Sequence, residues 1–136
     1  MSENASERKF SIANHKDLKV FQKAMDLAMK IFAMTGRFPK SEEYALSDQV
    51  KRSSRSICAN IGEAWRKRRY PAAFISKLND AEAEACETQI WIELARRCGY
   101  ITDADAAQMD DQCDHVIAQL SLMAKQPGKW TTHRSK

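Results

Sequence analysis

Three kinds of residue in this chain have side chains able to do chemistry, and their spacing decides what that chemistry is. The first are histidines near carboxylates. Asp111 and His115 are four apart, which puts them on one face of a helix. A di-iron bundle needs more, namely inward-facing Glu and two Glu-x-x-His pairs. Here the residue three before His115 is Gln112, His15 stands at the start of the first helix, and His133 is near the chain end. No metal and no cofactor is expected. The second kind are nucleophiles. Ser53, Ser54, Ser56 and the cysteines Cys58, Cys86, Cys98 and Cys113 have no His or Gly-rich oxyanion loop placed near them. No phosphate-binding or dinucleotide fingerprint appears either, so the chain does not read as an enzyme.

The third kind are the charges. The net charge of +4, from 22 basic and 18 acidic residues, is too mild to argue for nucleic acid by itself. The distribution says more. Residues 51–69 carry Lys51, Arg52, Arg55, Arg66, Lys67, Arg68 and Arg69 against a single acid, Glu63. Residues 80–93 carry Asp80, Glu82, Glu84, Glu87 and Glu93 with no base. The charge is segregated by segment, and the elements that hold those segments matter.

A chain of 136 residues fits one domain able to bury roughly two-thirds of its unfolded surface. No apolar run approaches the ~20 residues of a membrane span. The start, MSENASERKF, lacks the apolar stretch of a secretory signal, and the cysteines show no CxxC pair. Free buried thiols and a cytoplasmic location are expected.

Apolar residues recur at helical spacing throughout. Asn14 with Asp17 marks a helix start, and a first helix is expected over about 15–36. It carries two apolar stripes. One is Leu18, Phe21, Met25, Ala28 and Phe32; the other is Val20, Ala24, Leu27 and Ile31. Together they exceed what one core-facing stripe needs. Either the helix is unusually buried in the monomer, or the second stripe meets another subunit. Gly36 and Pro39 end it, and Ser41 offers an N-cap for a second helix running to about Arg69. Leu46, Val50, Ser53, Ser54, Ile57, Ile61 and Ala64 form its core stripe, with the two serines small enough for close helix approach. Lys51, Arg55, Arg66 and Arg69 lie within about 60° of one another on a different face, with Arg52 at its margin. Gly62, within that face, hints at a close contact there, and Arg68 on the apolar side suggests that the helix ends near it.

Tyr70-Pro71 breaks the chain briefly before a third helix to about Cys98. Its core face is Phe74, Leu78, Ala81, Ala85, Thr88 and Ile92; Asp80, Glu84 and Glu87 line a separate face continuing into Trp91. Thr102 caps a fourth helix over about 103–125, with Met109, Cys113, Val116, Ile117, Leu120 and Ala124 on one stripe. The expected fold is all-α, an antiparallel up-down-up-down four-helix bundle over 15–126 between flexible tails at 1–14 and 127–136.

The stretches Asp17–Ile31, Phe38–Tyr70 and Cys98–Ile101 resemble the 23S rRNA intervening-sequence protein family of four-helix bundles. The most specific residues are Gln49-Val50-Lys51-Arg52, Ser56-Ile57, Ala59-Asn60-Ile61 and Glu63. Gly62, Arg55 and Ala64-Trp65 depart from its usual pattern, as a branch with a more basic second helix would. The resemblance implies assembly into a ring, with pentamers known among relatives. The family name records genes inserted in rRNA genes and is not an activity. More distantly related bundles accompany diversity-generating retroelements, where a basic pentameric surface is thought to engage nucleic acid.

Two functions compete. In one, a ring-forming bundle binds the RNA or DNA backbone through Lys51, Arg52, Arg55, Arg66, Lys67 and Arg69. In the other, the chain is a homo-oligomeric interaction scaffold in which those bases pair with a neighbouring subunit's acids. The subunit-interface candidates are Val20, Ala24, Leu27 and Ile31 of the first helix, with Asp80, Glu84, Glu87 and Trp91 of the third. Trp65 is a further aromatic anchor candidate.

Overall fold

The computed structural model describes residues 12–130, so the tail expectations for 1–11 and 131–136, and His133, lie outside the described residues. Four α-helices make the body: α1 Lys19–Thr35, α2 Asp48–Arg66, α3 Pro71–Arg97 and α4 Asp103–Lys125. No strand occurs among the described residues. Each helix packs on the next, and α1 also meets α4, which closes a four-helix bundle. No helix among the described residues is long and apolar enough to cross a membrane.

The ends show why each helix sits where it does. Asn14 does act as a cap, but of a short 3-10 turn, His15–Asp17. Its Oδ1 accepts from the Lys16 amide at 2.8 Å while Asp17 Oδ2 accepts from the Ala13 and Asn14 amides. Leu18 is then extended, so α1 begins only at Lys19. Ser41 makes no cap bond; it lies in a 3-10 turn over Lys40–Glu42 that runs through a π-helical turn at Glu43–Ser47 into α2. The helix stops at Arg66 rather than Arg69, because Pro71 holds Tyr70 extended and the intervening residues form a tight turn. Gly99 has φ +80°, and the Tyr100 and Gly99 amides donate to Ala95 and Arg96 carbonyls, which ends α3 in a Schellman motif. Thr102 Oγ1 accepts from the Asp105 amide at 3.0 Å and starts α4.

The core contains every residue expected of α2 and α3, with Met34, Met123 and Ala106 added. At the α2–α3 seam Ser53, Ser54, Ala81 and Ala85 are fully buried, and Ser53 Oγ lies 2.8 Å from Thr88 Oγ1. Thr88 in turn donates to the Glu84 carbonyl at 2.9 Å, so the buried hydroxyls are satisfied. The cysteines divide. Cys58 and Cys113 are buried, but Cys86 and Cys98 are exposed, against the expectation of four buried thiols. Parts of both expected tails, 12–14 and 127–130, are structured. Ile12 packs on the core, and a turn at Pro127–Lys129 brings Trp130 against it.

One expectation for α1 is reversed. Val20, Ala24, Leu27 and Ile31, assigned to a subunit interface, are buried in the monomer's own core. The outward apolar stripe is the other one, where Met25, Met29 and Phe32 are 42%, 60% and 53% exposed. Periodicity fixes the angle between two stripes, not which one faces inward. Leu18, the first residue of the outward stripe, is itself buried, because its extended backbone takes it out of helical phase with Phe21 and Met25. Within the monomer no tight contact forms at Gly62. A Cβ there would meet only the His15 ring, at 3.8 Å, an ordinary contact.

Three stability outcomes follow. Ser53→Leu forces a larger side chain into the closest part of the α2–α3 seam and should cost about 1–3 kcal/mol or more in urea unfolding. Ser53→Ala, which removes only the hydroxyl, should cost about 1 kcal/mol. Gly62→Ala should raise stability by about 0.5–1 kcal/mol, read from thermal melts at matched protein concentration.

Candidate functional site

The bases of the second helix segment do not act as one face. Lys51 lies 3.9 Å from Asp48, one turn earlier on the same helix. Arg52 reaches across the seam to α3, pairing with Glu87 and lying 3.7 Å from Glu84. The Trp91 indole N–H donates to the same Glu87 carboxylate at 3.1 Å. Glu87, a candidate for pairing with a neighbouring subunit, is therefore engaged by its own chain, whereas the buried Glu84 Oε1 has no hydrogen-bond partner among the described residues. Asp80 lies 3.9 Å from Lys77, and Lys77 bonds Glu63 of α2 at 2.6 Å. That hydrogen bond and the lysine's charge hold the Glu63 carboxyl below its ordinary range. The α2–α3 seam thus has an ion-paired outer edge above its buried hydroxyls.

On the other flank of α2 the surface is different. Phe21, Met25, Ala28, Met29 and Phe32 of α1 and Cys58, Ala59 and Gly62 of α2 line an open groove of about 650 Å³, closed at one end by His15. The His15 ring stacks edge-on to Phe21 at 4.9 Å. Arg55 lies on the groove's rim and makes no salt bridge among the described residues. Cys58 lies in the groove floor, where burial pushes its thiol up to about 11. It stays neutral near pH 7 and behaves as a small apolar group rather than a nucleophile. The groove escaped the sequence reading, although its signal was present in the width of α1's apolar arc.

At the C-terminal end of α2, Arg66, Lys67 and Arg69 are exposed and make no salt bridge among the described residues. Arg68 is not with them. Its guanidinium lies 3.8 Å over the Trp65 ring and donates to the Trp65 carbonyl at 2.8 Å. Trp65 itself is buried in the monomer, which removes it as an interface anchor. Cations at a helix C-terminus are favoured by the helix dipole, so the cluster is electrostatically at ease without a ligand.

Asp111 and His115 approach to 3.9 Å, both well exposed to solvent. Among the described residues no group of three or more His, Cys, Asp or Glu side chains is arranged to hold a metal ion.

Comparison with known proteins supports the resemblance read from the second helix. The family model described as "23S rRNA-intervening sequence protein" matches residues 16–122. A crystal structure of a protein of unknown function from the S23 ribosomal protein family of Bacteroides thetaiotaomicron is similar, with a TM-score of 0.71 and 34% identity. The alignment covers 78% of this chain and 98% of that one. No curated protein gives a match. With the bundle, the α2 residues and most of the chain in agreement, the protein belongs to the 23S rRNA-intervening sequence protein family.

Proposed function

We propose that this chain is a non-enzymatic, cytoplasmic, antiparallel up-down-up-down bundle that assembles into a ring and binds the RNA or DNA backbone through α2 bases. Antiparallel packing is supported by the order of cross-helix contacts. Arg52 and Ser53 meet Glu87 and Thr88, whereas Asn60, further along α2, meets Lys77, further back on α3. Tyr100, in the α3–α4 link, donates to Glu42 in the α1–α2 link at 2.7 Å, which brings alternate links to one end. Ring assembly, with a pentamer favoured, rests on the family resemblance and on the outward apolar groove.

The observation that carries nucleic-acid binding is the exposed cluster Arg66, Lys67 and Arg69. Lys51 and Arg52 already have acidic neighbours, so they contribute less free positive charge than their number suggests. Arg55 belongs to the groove rim. Phosphates neutralised by Lys or Arg release counterions, and a ring repeats the cluster around its axis, adding avidity to contacts that read no sequence.

Pairing of Arg52 with a neighbour's acids is less favoured, because Glu87 holds it within one chain; Arg55, which makes no salt bridge among the described residues, stays available for such a contact.

The measurement is fluorescence anisotropy of a labelled rRNA fragment, and of duplex DNA of equal length, across a salt series. The double variant Arg66→Glu/Arg69→Glu should weaken binding at least tenfold at low salt and flatten the slope of log K against log salt by about 2. Arg52→Gln should leave both nearly unchanged. Absence of binding at low salt, or a slope indifferent to the Arg66 and Arg69 reversals, overturns the proposal.

A further inference from the structure

The groove between α1 and α2 has an apolar floor, three large apolar side chains left 42–60% exposed, and one arginine on its rim. Exposed apolar surface of this kind, bordered by charge, marks a docking site. Its geometry is that of a helix-receiving groove, whose occupant presents an apolar stripe with residues three and four apart.

Such a stripe exists on the same molecule. Asp80, Ala83, Glu87, Ile90 and Leu94 follow one another along α3 at steps of three, four, three and four, so they form a continuous ridge. The ridge points away from the core, whose α3 residues Ala81, Ala85, Thr88, Ile92 and Ala95 lie on the opposite side. Ile90 and Leu94, one turn apart, are 54% and 42% exposed. Nothing in the monomer accounts for two large apolar side chains there. The ridge is also acidic towards its N-terminal half, where the Asp80 side chain is 58% exposed, while the groove's rim residue is Arg55. One surface is concave, apolar and basic at its edge. The other is convex, apolar and acidic.

We infer that the groove's occupant is the outer face of α3 from a second copy of this chain, with Ile90 and Leu94 seated among Met25, Met29 and Phe32 and the acids turned towards Arg55. This rests on the ring reading above and specifies its contact. The two surfaces differ, so the contact is head-to-tail, and every subunit keeps one free groove and one free ridge until the assembly closes. Charge complementarity fixes orientation and disfavours groove-to-groove pairing, which would bring Arg55 residues together. The groove and the Arg66–Arg69 cluster then have separate tasks on one helix.

Head-to-tail contact makes a mixing experiment decisive. Phe32→Glu damages the groove but leaves the ridge; Ile90→Glu damages the ridge but leaves the groove. Both sites are exposed, so the bundle should fold, and circular dichroism melts report whether it does. By light scattering after size exclusion, wild type should be an oligomer and each variant alone a monomer. Mixed in equal amounts, the variants should give a one-to-one dimer, since one intact groove then meets one intact ridge and no further subunit can add. Arg55→Glu should raise the dissociation constant of that dimer at least tenfold when placed in the partner with the intact groove. An Ile90→Glu protein of wild-type mass overturns the inference while leaving the ring standing, and gives the groove to another occupant, such as an amphipathic helix of a different protein. Variants that stay monomeric when mixed also overturn it. A monomeric wild type at high concentration overturns the ring reading itself.

Discussion

The seam between α2 and α3 is the constraint on which the surface of this protein depends. It is close because Ser53, Ser54, Ala81 and Ala85 offer little bulk, and it is specific because the buried Ser53 hydroxyl pairs with Thr88 Oγ1, which donates on to the Glu84 carbonyl. Bringing the helices together in that register places Arg52 opposite Glu84 and Glu87, and Glu63 opposite Lys77. These outer pairs are partly exposed and each is worth little on its own. Their effect is to take particular charges out of circulation. What remains free on α2 is set by what the seam uses.

The opposite flank of α2 follows from the same geometry. With its small and apolar residues turned to α3 and the core, α2 gives α1 only Cys58, Ala59 and Gly62 at the surface, too little bulk to cover α1's apolar arc. Phe21 and Ala28 are half-covered, and Met25, Met29 and Phe32 stand out into solvent. A monomer selected only for solubility gains nothing from three such side chains in a row. Methionine suits a surface that must repack around a partner, since its thioether chain is flexible and polarizable.

Much of the fold was legible in the sequence because it depends on local rules. The Thr102 cap, the Tyr70-Pro71 break and the Gly99 terminator each act within a few residues, and α3 and α4 come out within a residue of expectation. The start of α2 was misplaced because its first turns are 3-10 and π-helical, and Ser41 looks like a cap whatever geometry follows. The candidate site was less legible, for a different reason. Projection onto a helix puts Lys51, Arg55, Arg66 and Arg69 on one face, but it does not say which neighbours flank that face. Arg52, at the margin of the projection, proves to be the residue that crosses to α3. Arg68, which the projection set aside, folds onto Trp65. Likewise the two stripes of α1 were visible, but periodicity does not say which of them the rest of the bundle covers.

The basic segment is therefore divided by position rather than by composition. Lys51 and Arg52 belong to the chain's own electrostatics, and Arg68 to the packing of Trp65. Arg55, which makes no salt bridge among the described residues, stands beside an apolar groove, where low local polarity strengthens its attraction for a carboxylate. Arg66, Lys67 and Arg69 lie at the helix end, exposed and within four positions of one another, where a polyanion would find several positive charges together. An assembly that covers Arg55 but not the end of α2 concentrates the second group of charges as it forms. If the chain assembles and binds a nucleic-acid backbone as proposed, binding should depend on assembly, because a single cluster of three bases is a weak phosphate site and several held rigidly together are a strong one.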